Sequence, residues 1–170
     1  MGRDIHTLLE IKKDGKWKPI PDELDRFNGR SYRFFTILDN HFDHRGIPEE
    51  LKDKKFGYHE DEDYWDFDFS ADWLFGFSFV GLNELKKYIN NLNKVTVSEE
   101  FLEKFFELGG VLPDGMTTDP DGNGIYVEPM DEEDVWFMEF LEAGVGEIEE
   151  IAQKYDVSYE DIRMVFAFDW

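Results

Sequence analysis

Carboxylates and histidines are the residues of this 170-residue chain that could do chemistry, and they are concentrated in a few short segments. The densest segment is HEDEDYWDFDFSADW, residues 59–73, which holds seven carboxylates and five aromatic residues and has no Lys or Arg. Carboxylates this close together raise one another's pKa unless a cation lies between them, and acid–base catalysis uses only a pair. The segment therefore favours a charged surface over a catalytic centre.

The alternation Trp65-Asp66-Phe67-Asp68-Phe69 predicts a strand whose carboxylates point outward and whose aromatic side chains point inward. A folded, dense array of carboxylates can approach the charge density of duplex DNA, which is about one negative charge per 1.7 Å of axis. One hypothesis is therefore a surface that imitates nucleic acid, and a plain solvated face is the alternative. The predicted partner-binding residues are Glu60, Asp61, Glu62, Asp63, Trp65, Asp66, Asp68, Asp72, Asp131, Glu132, Glu133 and Asp134.

Four histidines offer a different chemistry. His6 follows Asp4 closely, and the segment HFDHRG places His41 and His44 around Asp43. Imidazole and carboxylate together can ligate a transition metal or transfer protons, so a metal-dependent hydrolase built on these residues is the alternative function. The sequence contains no H-E-x-x-H, G-x-S-x-G or P-loop signature. Surface histidines explain the same residues, and a protein without enzymatic activity is favoured.

The segment DPDGNG, residues 119–124, has the first half of a calcium-binding EF-hand loop. Its twelfth position requires a bidentate Glu, but Met130 stands there. A tight turn rich in Asp, Asn and Gly explains these residues through their backbone preferences. We therefore predict no metal and no other cofactor.

The net charge is the strongest compositional feature. Asp and Glu number 40 against 18 Lys and Arg, which gives −22 at pH 7. Such a field repels nucleic acid and anionic membranes and attracts basic protein surfaces, although solubility alone is the alternative explanation. The chain has no cysteine, no continuous apolar signal core and no apolar run of the roughly 18 residues that span a membrane. A cytoplasmic protein is expected.

The elements that would position these residues form an α+β pattern. A β-hairpin is predicted over residues 4–20 with its turn at Asp14-Gly15, followed by a helix capped near Asn28 and a long acidic loop or insert around 39–72. A strand over 73–79 runs into a helix that starts near Gly81. A short strand leads into the next helix, which is capped by Ser98 and ends at Gly109.

The last third of the chain predicts a short strand at 125–127, a helix from Asp131 that breaks at Gly144 and Gly146, and a second helix over 147–155. The closing DIRMVFAFDW alternates strongly and predicts a central strand. Residues 1–170 are therefore expected to form a single α+β domain. Its mainly antiparallel sheet, with the N-terminal hairpin beside the C-terminal strand, would be packed by four or five helices.

Several stretches together resemble a family of phage and prophage proteins of uncharacterised function. They are GRDIHTLLEIKKDGKW, FNGRSYRFFTILDN, RGIPEELK, FGFSFVGLNELKKY and VSYEDIRMVFAFDW. Members of the family often begin Met-Gly-Cys-Asp-Ile-His, whereas Arg3 replaces the Cys here, and Phe75-Gly76-Phe77-Ser78 stands where relatives tend to have His-Ser-His-Ser. If those histidines belong to a site with Asp4 and His6, that site is incomplete in this chain.

The resemblance implies a mobile-element origin, in which small acidic proteins often block host defence by occupying nucleic-acid sites. It implies an anti-CRISPR-like inhibitor in the cytoplasm of an infected bacterium, with a CRISPR effector nuclease or another basic nucleic-acid-binding protein as its partner. Direct nucleic-acid and membrane binding are not expected. A phage accessory protein without an inhibitory role is a further alternative, and the oligomeric state is left open.

Overall fold

A computed structural model describes residues 3–59, 64–92, 94–96, 103, 106–107, 109, 116–118, 124–127 and 130–169. The chain forms two compact units, one made of Met1–Leu85 with Phe140–Trp170 and the other of Lys86–Glu139. The strands are β1 (Ile5–Lys13), β2 (Lys16–Ile20), β3 (Lys55–His59), β4 (Tyr64–Asp68), β5 (Phe75–Gly81), β6 (Lys94–Thr96), β7 (Met116–Thr118), β8 (Gly124–Val127) and β9 (Ile162–Phe168). The α-helices are α1 (Tyr32–His41), α2 (Leu82–Asn91) and α3 (Glu132–Lys154).

The first unit is built on a four-stranded antiparallel sheet with strand order β2-β1-β9-β5. β1 runs against β9 from Ile5 opposite Phe168 to Ile11 opposite Ile162. All seven residues of β9 are buried, because both neighbouring positions in the sheet and both faces of the strand are covered. The α+β class, the antiparallel sheet and the position of the C-terminal strand beside the N-terminal hairpin are confirmed.

One face of this sheet packs against aromatic side chains of α1 and its lead-in. Phe35 lies edge-on to Phe168 with ring centroids 4.4 Å apart, and Phe27 stacks on Phe34 at 4.3 Å. The helix is capped by Ser31, whose hydroxyl accepts a hydrogen bond from the Phe34 N–H. The expected cap near Asn28 is thus three residues too early, because the Asn28 side chain instead accepts a hydrogen bond from strand β1.

The opposite face of the sheet is covered by residues that were expected to form a long loop. Residues 39–72 contain 3-10 turns at Asp43–Arg45 and Glu49–Leu51, and β3 and β4 form an antiparallel hairpin. Buried apolar side chains from the hairpin, the turns and the sheet pack against one another in a shared core. This second core consists of Leu8, Leu51, Phe67, Phe69, Leu74, Val165 and Ala167.

The described residues contain three α-helices, whereas four or five were expected. The expected break at Gly144 and Gly146 does not occur, since α3 continues unbroken for 23 residues from Glu132 to Lys154. Gly144 is buried where α3 approaches Phe27 so closely that a Cβ would lie 2.2 Å from the ring. Gly144 therefore allows the helix to pack closely against Phe27 and does not end the helix. The expected helix over 98–109 lies largely outside the described residues.

The two glycines of α3 give a matched pair of substitutions. Gly144→Ala is expected to lower the free energy of unfolding by about 1–3 kcal/mol, because the new methyl group must displace Phe27. Gly146→Ala meets no atom within 4 Å and is expected to raise it by about 0.5–1 kcal/mol through helix propensity. Urea unfolding of both variants checks the pair, and equal effects would contradict the packing explanation.

The second unit contains a small antiparallel sheet with strand order β6-β8-β7. β8 lies in the middle and pairs with Lys94–Thr96 on one side and Met116–Thr118 on the other. The predicted strand at residues 125–127 is present within β8.

The outer edges of the four-stranded sheet are each blocked. On β5, the Arg45 N–H donates to the Ser78 hydroxyl at 3.3 Å and the Arg45 guanidinium donates to the Phe79 carbonyl at 3.1 Å. On β2, Pro19 lies within the strand and Pro21 follows its end. A proline has no N–H to donate, so the chain cannot continue a regular ladder there.

Candidate functional site

The acidic segment of residues 59–73 is only partly described. Glu60, Asp61, Glu62 and Asp63 lie outside the described residues, and for Trp65 and Asp66 only the backbone, within β4, is described. Asp72 is exposed on the connection after the hairpin, and the neighbouring Trp73 is 43% exposed. The strand that the alternation predicted is present as β4, and Phe67 is buried in the second core.

Asp68 does not present its charge outward as the alternation predicted. The residue is 8% exposed, and its carboxylate lies 2.9 Å from the Lys55 ammonium and accepts hydrogen bonds from the Ser70 N–H and hydroxyl. Burial alone would raise the pKa of Asp68, but the hydrogen bonds from Ser70 and Lys55 outweigh burial and lower it. The sequence could not reveal this neutralisation, because Lys55 becomes the cross-strand neighbour of Asp68 only through the β3–β4 register.

The acidic residues at the start of α3 form the second predicted surface. The Asp131 carboxylate caps the helix by accepting a hydrogen bond from the Asp134 N–H at 2.8 Å. Glu132 and Glu133 are exposed in the first turn, where the helix dipole favours negative charge, and Asp134 is partly buried. Helix formation accounts for the position of these four residues, and their predicted binding role stays a prediction.

An exposed tryptophan follows these carboxylates. Trp136 is 79% exposed and its neighbour Val135 is 42% exposed. Glu132 and Glu133 precede Trp136 by four and three residues, and Glu139 follows it by three. On a helix, residues at these spacings are neighbours, so all three glutamates lie next to Trp136. The sequence prediction missed Trp136, because VWFM resembles a core-facing helical run. The signal that could have identified it is its spacing from three glutamates.

His6 has a carboxylate partner that the sequence did not indicate. Its Nε2 lies 3.0 Å from Asp169 Oδ2, and the edge of Trp73 lies against its ring with centroids 5.6 Å apart. Asp169 also accepts a hydrogen bond from the Asp4 N–H, and Asp4 in turn accepts one from Arg30 at 2.8 Å. The antiparallel pairing of β1 with β9 places the first residues of one strand beside the last residues of the other, and so creates this cluster.

The remaining histidines lie in other settings. His41 ends α1 and contacts the Phe42 ring, whereas His44 is exposed with its Nδ1 4.0 Å from Asp43. In the part of the chain that the structure describes, no group of three His, Asp or Glu side chains could hold a metal ion. The metal-dependent hydrolase therefore stays a prediction.

A buried ion-pair cluster lies on the hairpin-covered face of the sheet. Arg163 Nε donates to Glu10 at 2.8 Å, a terminal nitrogen of the same guanidinium donates to Glu50, and Trp17 and Phe79 contact the guanidinium at 4.2 and 4.4 Å. Glu10 is fully buried, and its Oε1 has no hydrogen-bond partner. Burial raises the pKa of Glu10 to about 7, although Arg163 lowers it. This cluster supports the sheet rather than presenting charge to a partner.

The first unit also contains a cavity of about 310 Å³. Its walls come from the sheet and from the β3–β4 hairpin, and the apolar ones are Leu8, Ile20, Phe56 and Phe67. Asp22, Glu23 and Asn28 contribute polar groups. The volume lies at the lower end of the range for small-molecule sites, which is about 300–1,000 Å³.

No protein-family model, curated protein or solved structure matches this chain. Within the described residues, no helix is both long and apolar enough to cross a membrane.

Proposed function

We propose that this protein is a phage-encoded, non-enzymatic inhibitor that binds a basic nucleic-acid-binding defence protein, such as a CRISPR effector nuclease, in the cytoplasm of an infected bacterium. Its carboxylates would compete with nucleic acid for the partner's Lys and Arg side chains. The net charge of −22 supports this proposal, because a field of that sign accelerates encounter with a basic surface.

The observation that carries the proposal is the exposure of Trp136 among glutamates. Most of the Trp136 side chain lies in water, although tryptophan buries more apolar area than other residues when it finds a partner. Tryptophan and arginine are enriched at the energetic centres of interfaces, and arginine stacks on an indole while its nitrogens bond to carboxylates. A Trp flanked by glutamates thus complements the arginine-rich surfaces of nucleic-acid-binding proteins.

The β3–β4 hairpin, in the first unit, supplies a second surface that combines carboxylates with an aromatic side chain. Phe67 and Phe69 fix the base of the hairpin in the second core, so that its acidic segment starts from ordered strands. Exposed Asp72 next to Trp73 repeats the combination of a carboxylate and an indole. Because Asp68 is already paired with Lys55, we assign it to stabilising the hairpin and no longer to contacting the partner.

A competition experiment tests this function. Purified CRISPR effector nucleases, each loaded with a guide RNA, are mixed with labelled target DNA and increasing amounts of this protein at low and at high salt. We expect DNA to be displaced from at least one nuclease, and displacement to weaken as salt rises. Hen lysozyme serves as a basic control protein. Failure to bind any nuclease, or equal binding to lysozyme, would contradict the proposal.

Trp136→Ala tests the residue that carries the argument. Loss of an indole at the centre of an interface is expected to weaken binding to the nuclease by about 2 kcal/mol, or about 30-fold. The stability of the free protein is expected to change by less than about 0.5 kcal/mol, because the side chain is exposed. Tyr32→Ala removes an aromatic side chain that is 58% exposed and is the matched control. Unchanged affinity of Trp136→Ala would show that the partner binds elsewhere.

A further inference from the structure

The cavity of the first unit lies beside an interruption in the sheet edge. Ile20, the last residue of β2, pairs with Leu9, and the next contact along β1 is the pair of backbone hydrogen bonds between Ile5 and Gly29. The chain leaves the edge after Ile20, at Pro21, and does not continue the ladder toward Thr7. Thr7, midway between Ile5 and Leu9, therefore faces a gap where a strand residue would otherwise lie.

A side chain fills only half of this gap. The Thr7 N–H donates to Asn28 Oδ1 at 3.2 Å, so the amide of a side chain replaces the missing backbone acceptor. The N–H and C=O of one residue in an antiparallel strand face the same edge, so the Thr7 carbonyl also points into the gap. That carbonyl offers a hydrogen-bond acceptor at the wall of the cavity, and Thr7 is one of the lining residues.

The charged groups at the cavity are also acceptors. Asp22 receives hydrogen bonds from Lys154 at 2.5 Å and from Tyr155, and although burial would raise the pKa of Asp22, these bonds lower it. Asp22 is therefore ionised at neutral pH. Because Lys154 already pairs with Asp22, the carboxylate at the cavity that could meet a ligand cation is Glu23, which is more exposed.

We propose that this cavity is a binding site for a small primary amine with an apolar, preferably aromatic, body. The body would pack between Phe56, Phe67 and Leu8, and the ammonium group would donate to the Thr7 carbonyl and lie near Glu23. A carboxylate ligand would meet the like charge of Glu23, and an alcohol would lack the charge that complements it. This proposal does not depend on the proposed inhibitory function.

Three ligands of similar size test the site on the intact protein: phenylethylamine, phenylethanol and phenylpropionate. Their affinities are measured from amide chemical-shift changes in NMR titrations. We expect the amine to bind at least about tenfold more tightly than either of the others, and to shift the Thr7 amide and the Asn28 side-chain amide. Equal affinity for all three ligands, shifts confined to residues outside the cavity, or weak binding without saturation would overturn the proposal.

A charge-neutralising variant tests the ammonium site directly. Glu23→Gln is expected to reduce the affinity for phenylethylamine by about tenfold and to leave the affinity for phenylethanol unchanged. Asp25→Asn removes the same charge from an exposed position that does not line the cavity, and is expected to have little effect. Both positions are exposed, so the fold should persist in each variant. Equal loss of amine affinity in the two variants would reduce the effect to general electrostatics and overturn the proposed contact.

Discussion

Arg163→Met is expected to lower the free energy of unfolding by about 3–5 kcal/mol. Methionine can fill much of the space between Trp17 and Phe79, so the loss comes mainly from charge rather than from volume. Without Arg163, the fully buried Glu10 loses its cationic partner. A buried carboxylate in that position must remain protonated or disrupt the sheet.

The pH dependence distinguishes this cause from a packing defect. The pKa of Glu10 in the folded protein is about 7, above the ordinary value of 4.5, and removal of Arg163 raises it further. A carboxyl whose pKa is raised by folding destabilises the fold as pH rises above its unfolded pKa, because the unfolded state ionises first. Between pH 4.5 and 7 Glu10 is protonated in both folded proteins, so parent and variant lose stability in parallel and the cost of Arg163→Met should stay nearly constant. The cost should increase as pH rises above about 7, where Glu10 ionises beside Arg163 in the parent but stays protonated in the variant.

Urea unfolding from about pH 5 to about pH 9 measures the effect, with two comparisons. Glu10→Leu combined with Arg163→Met should recover part of the stability, since no buried charge is then left unpaired. Arg30→Met removes the exposed pair with Asp4 and should cost far less than Arg163→Met. A cost of Arg163→Met that is independent of pH would contradict the electrostatic explanation.

Phe67→Ala is the second substitution with a large expected effect, a loss of about 3–5 kcal/mol. The Phe67 side chain is 1% exposed, and its ring lies 4.5 Å from that of Phe69 and 6.1 Å from that of Phe77, centroid to centroid. Its removal opens a hole between the hairpin and the sheet, next to the existing cavity. The hairpin contacts the sheet mainly through this core, so it should loosen before the sheet does.

Hydrogen exchange resolves the order of these events. Backbone amides of β3 and β4 should lose more protection in Phe67→Ala than those of β1 and β9, and urea unfolding gives the total cost. Tyr32→Ala, which truncates an exposed ring, should change stability by less than about 0.5 kcal/mol. If Phe67→Ala cost less than 1 kcal/mol, the hairpin would not be held by this core.

Local sequence signals predicted the framework of the sheet well. Asp14 and Gly15 have φ values of 52° and 76°, the positive values that a two-residue hairpin turn requires. The Asp-Gly pair is typical of such a turn, and it predicted the turn from the sequence. The apolar alternation of residues 162–168 was sufficient to place β9 centrally. Gly144 shows the limit of such signals, because glycine is equally compatible with the end of a helix and with close packing on an aromatic ring. Only the position of Phe27 decides between them.

The candidate sites were harder to predict because they depend on pairs far apart in the chain. His6 and Asp169 are separated by 163 positions, and Asp68 meets Lys55 through the register of a hairpin that only one of its strands indicated. The segment KFGYH, which forms β3, has little alternation of its own. Trp136 was missed although its signal is local, because the apolar residues beside it resemble a core-facing helical run, whereas the structure leaves it exposed.

The blocked edges of the four-stranded sheet have a consequence for how this protein can associate. An open strand edge recruits strands from other chains and is a common start of aggregation, which proteins prevent with prolines, charges or covering segments. Here Pro19 interrupts the edge of β2, and Arg45 occupies backbone and hydroxyl groups along the edge of β5. Backbone-mediated strand addition to this sheet is thereby disfavoured. Association at this sheet therefore depends on side chains, and the net negative charge makes copies of this chain repel one another and attract basic proteins.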